Sequence, residues 1–260
     1  MMQSKQWIAV AVAALLFLVV YGLLDRLPPE RQALNEQRAL AVEATNVEAL
    51  LQEARADLPP RVEADVTALE VRLEEASTDS ARVEASKALS SRWYRQGAPA
   101  IAGYYAQEVA ELQGTGEAWG IAGSTYVICL QRAEREKVRA YCTQRAISAF
   151  EKAISIDPEQ LDYRINLALV YTENPPEDNP MKGVLMLRTL NQAHPENVSV
   201  MNQLARLAIR TGQYEKALER LRRAEELQPD NRATLCLLAE AYRASGRSER
   251  AAAYAERCSD

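Results

Sequence analysis

Few side chains in this chain of 260 residues are suited to covalent or metal chemistry. They are Cys129, Cys142, Cys236, Cys258 and a single histidine, His194. No two cysteines have the Cys-x2-Cys spacing of a zinc site, so no metal is expected. Two readings of the thiols stay open: disulfides, or four small buried hydrophobes. His194 precedes Pro195 at the end of an apolar-periodic stretch, where an imidazole interacts with terminal helix carbonyls. Alone it supplies neither a triad nor a ligand set. Gly114-Thr115-Gly116 precedes a helix, as a phosphate loop does, but it has no preceding strand and no following Gly-Lys-Ser. It reads as a connection between helices. The acidic pairs Glu74-Glu75 and Glu225-Glu226 lie on charged helix faces. With no nucleophile, acid–base pair or cofactor loop assembled, the expectation is a non-enzymatic chain with no catalytic residues and no cofactor.

The elements that must position these side chains are helices. From Val198 to Arg210, Met201, Leu204, Ala205, Ala208 and Ile209 recur at one-face helical spacing. Thr211-Gly212 interrupts the pattern, Gly212 suiting a left-handed C-cap. From Tyr214 to Leu227 a second stripe runs through Ala217, Leu218, Leu221 and Ala224, and Pro229 stops it. The landmarks repeat: Pro195 and Pro229 stand 34 residues apart, each followed by an asparagine, Asn197 and Asn231. A fixed period in this range means stacked helix pairs.

This pattern resembles the tetratricopeptide (TPR) repeat, with its small residues on both helices, an aromatic opening the second helix, and a closing Pro. The resemblance covers residues 83–260. It divides them into a degenerate unit at 83–115, an expanded unit at 116–160, units at 161–197 and 198–231, and a capping unit at 232–260. Trp119, Gly123 and Tyr126 match the family's opening motif, with Ala122 where it has Leu; Ala146, Phe150, Ala153 and Pro158 match its second helix. The residues inserted around Gln131–Tyr141 contain no Gly or Pro and are expected to extend both helices. In the antiparallel hairpin they form, Cys129 comes opposite Cys142. Cys236 and Cys258 lie on the two helices of the last unit. Both pairs are therefore candidate disulfides, which would imply an oxidising compartment.

Trp7 to Leu24 is an 18-residue run without charge, about 27 Å of helix and close to a bilayer core. Residues 1–6 form a short tail before it. No small-x-small cleavage site follows, so the run is expected to be a transmembrane anchor rather than a cleaved signal. Lys5 precedes it and Arg26, Arg31 and Arg38 follow, which leaves orientation open; the cysteines favour a periplasmic or extracytoplasmic repeat domain. Residues 25–82 hold 13 acidic and 7 basic side chains, and residues 83–260 hold 23 of each. A neutral repeat domain lacks the basic stripe of a nucleic-acid binder. Within the acidic linker, Val62, Val66, Leu69, Leu73 and Ala76 form an a/d seam, suited either to packing on the first repeat or to homodimerisation. The expected fold is all-α: an N-terminal transmembrane helix, a helical linker or stalk, and a TPR-like superhelix of antiparallel helix pairs.

The resemblance also implies a binding groove lined by first helices. Its positions carry over as Tyr94, Arg95, Ser124, Val127, Ile128, Ile165, Leu169, Asn202, Arg206, Arg210, Glu240 and Arg243. The middle is apolar, and Arg206, Arg210 and Arg243 beside Asn202 form a basic end suited to a carboxylate or an acidic peptide. The layout looks like bacterial envelope proteins that carry a span followed by TPR repeats, including those that attend secretion or cytochrome c maturation. The implied function is a membrane-anchored scaffold or adaptor that holds a protein or peptide partner for assembly or stabilisation of a membrane complex. The alternative is a constitutive structural subunit of such a complex.

Overall fold

The computed structural model describes residues 46–259. Among these residues lie twelve α-helices and no strand. They are α1 (Val47–Ala56), α2 (Pro60–Glu74), α3 (Asp79–Arg95), α4 (Pro99–Gln113), α5 (Gly116–Arg132), α6 (Glu136–Ile156), α7 (Leu161–Glu173), α8 (Lys182–Ala193), α9 (Val198–Arg210), α10 (Tyr214–Leu227), α11 (Arg232–Ala244) and α12 (Ser248–Ser259). The chain divides into two units between Ala49 and Leu50. Of the first, only the start of α1 is described; there Asn46 Oδ1 accepts from the Ala49 amide at 2.9 Å. No helix among the described residues is long and apolar enough to cross a membrane. The run Trp7–Leu24 lies outside the described residues.

The second unit is a succession of antiparallel pairs, α3–α4 to α11–α12, each packed on the next. Local chemistry explains the period seen in the sequence. Asn197 and Asn231 are N-caps: their side chains accept from the amides of Val200 and Thr234 at 3.0 and 3.1 Å, satisfying helix-start donors that would otherwise be orphaned. Thr78 and Thr115 do the same for α3 and α5. The bends within pairs are built on glycines in the left-handed region, Gly212 at φ 72° and Gly246 at φ 78°. At the first, Gln213 N donates to Ala208 O (2.8 Å) and Gly212 N to Ile209 O (3.0 Å), a Schellman closure. The bonds Arg247 N to Tyr242 O and Ala98 N to Trp93 O repeat it at the α11–α12 and α3–α4 bends. Thus the faint first unit is a helix pair built with the same closure as the regular ones.

The insertion in the second pair lies in helices, giving α6 21 residues and leaving only Ala133–Arg135 as the turn. Glycines let helices meet. A Cβ on Gly123 would stand 2.8 Å from the Phe150 ring, and one on Gly183 would run into the backbone of α7 at Ala168 and Thr172. Trp93, Tyr126, Phe150, Leu89 and Ile101 are fully enclosed in the largest core, and a second core forms around Leu218, Leu221 and Leu238.

The linker differs from a free stalk. From Leu50 onward it belongs to the same unit as the repeats. Leu50 and Val66 are buried in the main core, and Val62, Leu69 and Leu73 pack against it. The pairs Arg55–Glu70, Arg92–Asp65 and Arg135–Glu53 tie α1 and α2 to each other, to α3 and to the turn between α5 and α6. The a/d seam from Val62 to Leu73 is therefore packed inside the molecule, which is the first of the two readings of that seam. A seam two heptads long carries no label for its partner, and the nearby apolar face of α3–α4 meets it first.

Candidate partner-binding groove

The outward positions of the first helices α3, α5, α7, α9 and α11 separate into three groups. Tyr94, Arg95, Ser124, Arg206, Arg210, Glu240 and Arg243 are exposed. Val127, Ile128 and Leu169 are half-buried, and Val127 and Leu169 lean on neighbouring cores. Ile165 and Asn202 are buried, and both assignments to the groove are corrected. Ile165 packs with Leu187 and Leu204. Asn202, 4% exposed, donates from Nδ2 to Thr234 Oγ1 at 3.0 Å. That hydroxyl also lies 3.1 Å from Asn202 Oδ1. The amide thus fastens α9 to α11 and does not face a ligand. An unpaired buried amide is costly, so the pairing is what makes an Asn tolerable there.

The basic end is correspondingly smaller than the sequence suggested. Arg210 reaches back to Glu173 of α7 at 3.4 Å. Both are about half exposed, so the pair contributes little to stability, but it offsets one positive charge. Arg206 and Arg243 have no ion-pair partner among the described residues. At the other end Tyr94 is 41% exposed, and the Arg132 guanidinium lies 5.9 Å from its ring centroid, a cation–π contact linking α3 to α5. One surface residue escaped the sequence reading: Ile121, 56% exposed on α5. Its spacing from Ser124 and Ile128, three and seven residues, puts all three on one helix stripe. That spacing was the available signal.

The cysteines are joined in two disulfides. Cys129 and Cys142, Cα atoms 6.1 Å apart, link α5 to α6 near their bend, and both are buried. Cys236 and Cys258, Cα atoms 5.0 Å apart, link α11 to α12 and are half-buried. Cys236 therefore points to the last helix and not into an open groove. Arg232 Nε donates to the Cys258 carbonyl at 2.9 Å, adding a second tie at the same place.

Burial also sets the titration of two core phenols. Desolvation, helped by neighbouring Tyr141, pushes the Tyr126 hydroxyl well above its ordinary range. Desolvation and the nearby Glu70 and Glu108 carboxylates do the same to Tyr105. Both are structural: Tyr126 donates to Gln107 and Tyr105 to Glu70. Among the described residues no three His, Cys, Asp or Glu side chains converge as a metal site would.

Residues 184–235 and 233–260 match two family profiles, each described as tetratricopeptide repeat. A search of curated proteins finds no match. Among solved structures, the chain is similar to a tetratricopeptide repeat protein from Parabacteroides merdae ATCC 43184. That likeness has 15% identity and a TM-score of 0.52, covering 81% of this chain and 78% of that one. It is also similar to TTC0263, a thermophilic TPR protein of Thermus thermophilus, with 19% identity and a TM-score of 0.50, covering 77% and 99%. At such identities the likeness speaks to fold. With the profile matches over its C-terminal units and helix pairs throughout Asp79–Ser259, the chain is a tetratricopeptide repeat protein.

Proposed function

We propose that this chain is a non-enzymatic scaffold that binds a protein or peptide partner on its first-helix face and holds it at a membrane through Trp7–Leu24. The observation that carries the reading is the exposed part of that face: Tyr94 and Ile121 at one end, and at the other Arg206 and Arg243, which have no acidic partner among the described residues. Aromatic and Arg side chains are the usual anchors of protein interfaces, and guanidinium groups hold carboxylates by charge-assisted hydrogen bonds. An acidic peptide ending in apolar residues would meet both. We further propose that the repeats occupy an extracytoplasmic, oxidising space, a reading supported by two cross-hairpin disulfides and no free thiol among the described residues. In that setting the scaffold would serve assembly or stabilisation of a membrane or envelope complex.

Two experiments test this. Binding of acidic peptides should weaken as salt rises and fall about tenfold in Arg206→Glu; unchanged affinity would remove the first-helix face from the account. Labelling of intact cells with a membrane-impermeant maleimide should modify the cysteines only after reduction and without lysis. Labelling that needs lysis but no reduction would place the repeats in the cytosol. The alternative, a constitutive subunit, predicts a partner that salt and competing peptides do not release.

A further inference from the structure

Helix α8 carries two apolar stripes. Gly183, Leu187 and Leu190 are buried, the two leucines packing with Ile165, Val200 and Leu204 of α7 and α9. The second stripe is Lys182, Leu185, Met186, Thr189 and Ala193, at three- and four-residue steps along one face. It lines an open groove of about 470 Å3, together with Arg164 from α7 and His194 at the far end. Leu185 is 48% exposed, and Met181, at the N-cap of the same helix, is 51% exposed. Leu185 and Met181 stand four residues apart on neighbouring turns, and Leu185 lines the groove.

The charge of this groove is one-sided. Arg164, Lys182 and His194 are its ionisable lining groups, and no Asp or Glu lines it. Neither Arg164 nor His194 enters an ion pair among the described residues. Lys182 is positioned: its Nζ stands 3.8 Å from the centroid of the Tyr171 ring, which keeps the ammonium at one end of the stripe. Arg164 and His194 hold the other end.

We propose that this groove is a second docking surface, separate from the first-helix face, that takes an acidic amphipathic helix of a partner protein. The stripe from Lys182 to Ala193 is about 17 Å long at 1.5 Å per residue, the length of three helical turns. A helix laid in a groove anchors through i, i+3, i+4 and i+7 side chains, and Lys182, Leu185, Met186 and Thr189 stand at those same steps along α8. Cations at both ends select carboxylates flanking that apolar stripe. A purely apolar ligand would desolvate Arg164 and Lys182 without compensation, and a basic one would be repelled.

The test uses the full chain held in phosphatidylcholine nanodiscs and two fluorescent three-turn peptides. Both carry leucines at i, i+3, i+4 and i+7; one has glutamates elsewhere, its twin lysines. Fluorescence anisotropy should show the glutamate peptide binding at least about tenfold more tightly than the lysine twin. Measured in the Arg206→Glu background, which weakens acidic-peptide binding on the first-helix face, the glutamate peptide should keep this preference, and adding Leu185→Ser should abolish most of it. Arg164→Glu should weaken the glutamate peptide and strengthen the lysine twin, a swap that misfolding does not produce. No binding, equal affinity for both peptides, or indifference to Leu185→Ser and Arg164→Glu would overturn the proposal. So would loss of the preference in the Arg206→Glu background, since it would move the peptide to the other face.

Discussion

Asn202 and Thr234 sit 32 residues apart in sequence, one repeat removed, and meet as a buried hydrogen-bonded pair. Thr234 also stays 3.1 Å from the Asn231 cap, so the N-cap of α11 and the α9–α11 contact share one hydroxyl. Asn202→Ala should cost about 1–3 kcal/mol, the usual penalty for a buried polar group left without its partner, read as a lower urea midpoint at an unchanged slope. A variant as stable as the wild type would mean that the pair contributes nothing net. Tyr126 supplies a pH-dependent test. Its folded pKa is raised, so the phenol contributes stability that is fully present below the unfolded value of 10.0 and is lost as pH rises above it. Stability should therefore fall above about pH 10, and Tyr126→Phe should flatten part of that fall; identical profiles would contradict the burial argument. Residue-scale roles were the least legible in the sequence. Asn202 reads as a polar groove residue until Thr234 is placed opposite it, and Ile165 reads as groove until Leu187 and Leu204 close over it.

Elements were far more legible, because the signals that start and stop helices are local. Asn197, Asn231, Gly212 and Gly246 announce caps and bends from their own chemistry, and the structure shows those bonds being made. The degenerate first pair is harder to see because its cap, Thr78, and its bend, Gly97, are not flanked by the closing Pro of the regular units. The linker helices left two readings open for a different reason. An amphipathic seam states that it must be covered but not by what. The terminal helix α12 is an element with little to bury: Ala251 is its one buried residue. It relies on the Cys236–Cys258 link and on Arg257 and Tyr254 bonding to Glu225 of α10. Replacing both cysteines by serine should therefore lower stability by about 3 kcal/mol, the chain-entropy value for a loop of this order. It should also expose α12 to proteolysis before the rest of the array. Simultaneous digestion of all pairs would show that α12 is not a separately held cap.

At the scale of the molecule, the succession from α3 to α12 presents one face built from first helices, and that face is where the function is placed. Its exposed residues come from repeats far apart in sequence, so a partner that binds there must contact several units at once. That is how a repeat array turns weak single contacts into a specific surface. The basic end is narrower than sequence reasoning allowed, because Arg210 is paired with Glu173 and Asn202 is buried. On the proposed function, charge selection falls to Arg206 and Arg243. The most direct measurement is site-specific photo-crosslinking in cells, with the reactive amino acid placed in turn at Ser124, Arg206 and Glu240 on first helices and at Glu151 and Lys216 on second helices. All five positions are exposed, so accessibility does not bias the comparison. One and the same partner adduct at the three first-helix positions, and none at Glu151 or Lys216, is the result expected. Adducts at the second-helix positions with none on the first-helix face would contradict the central claim.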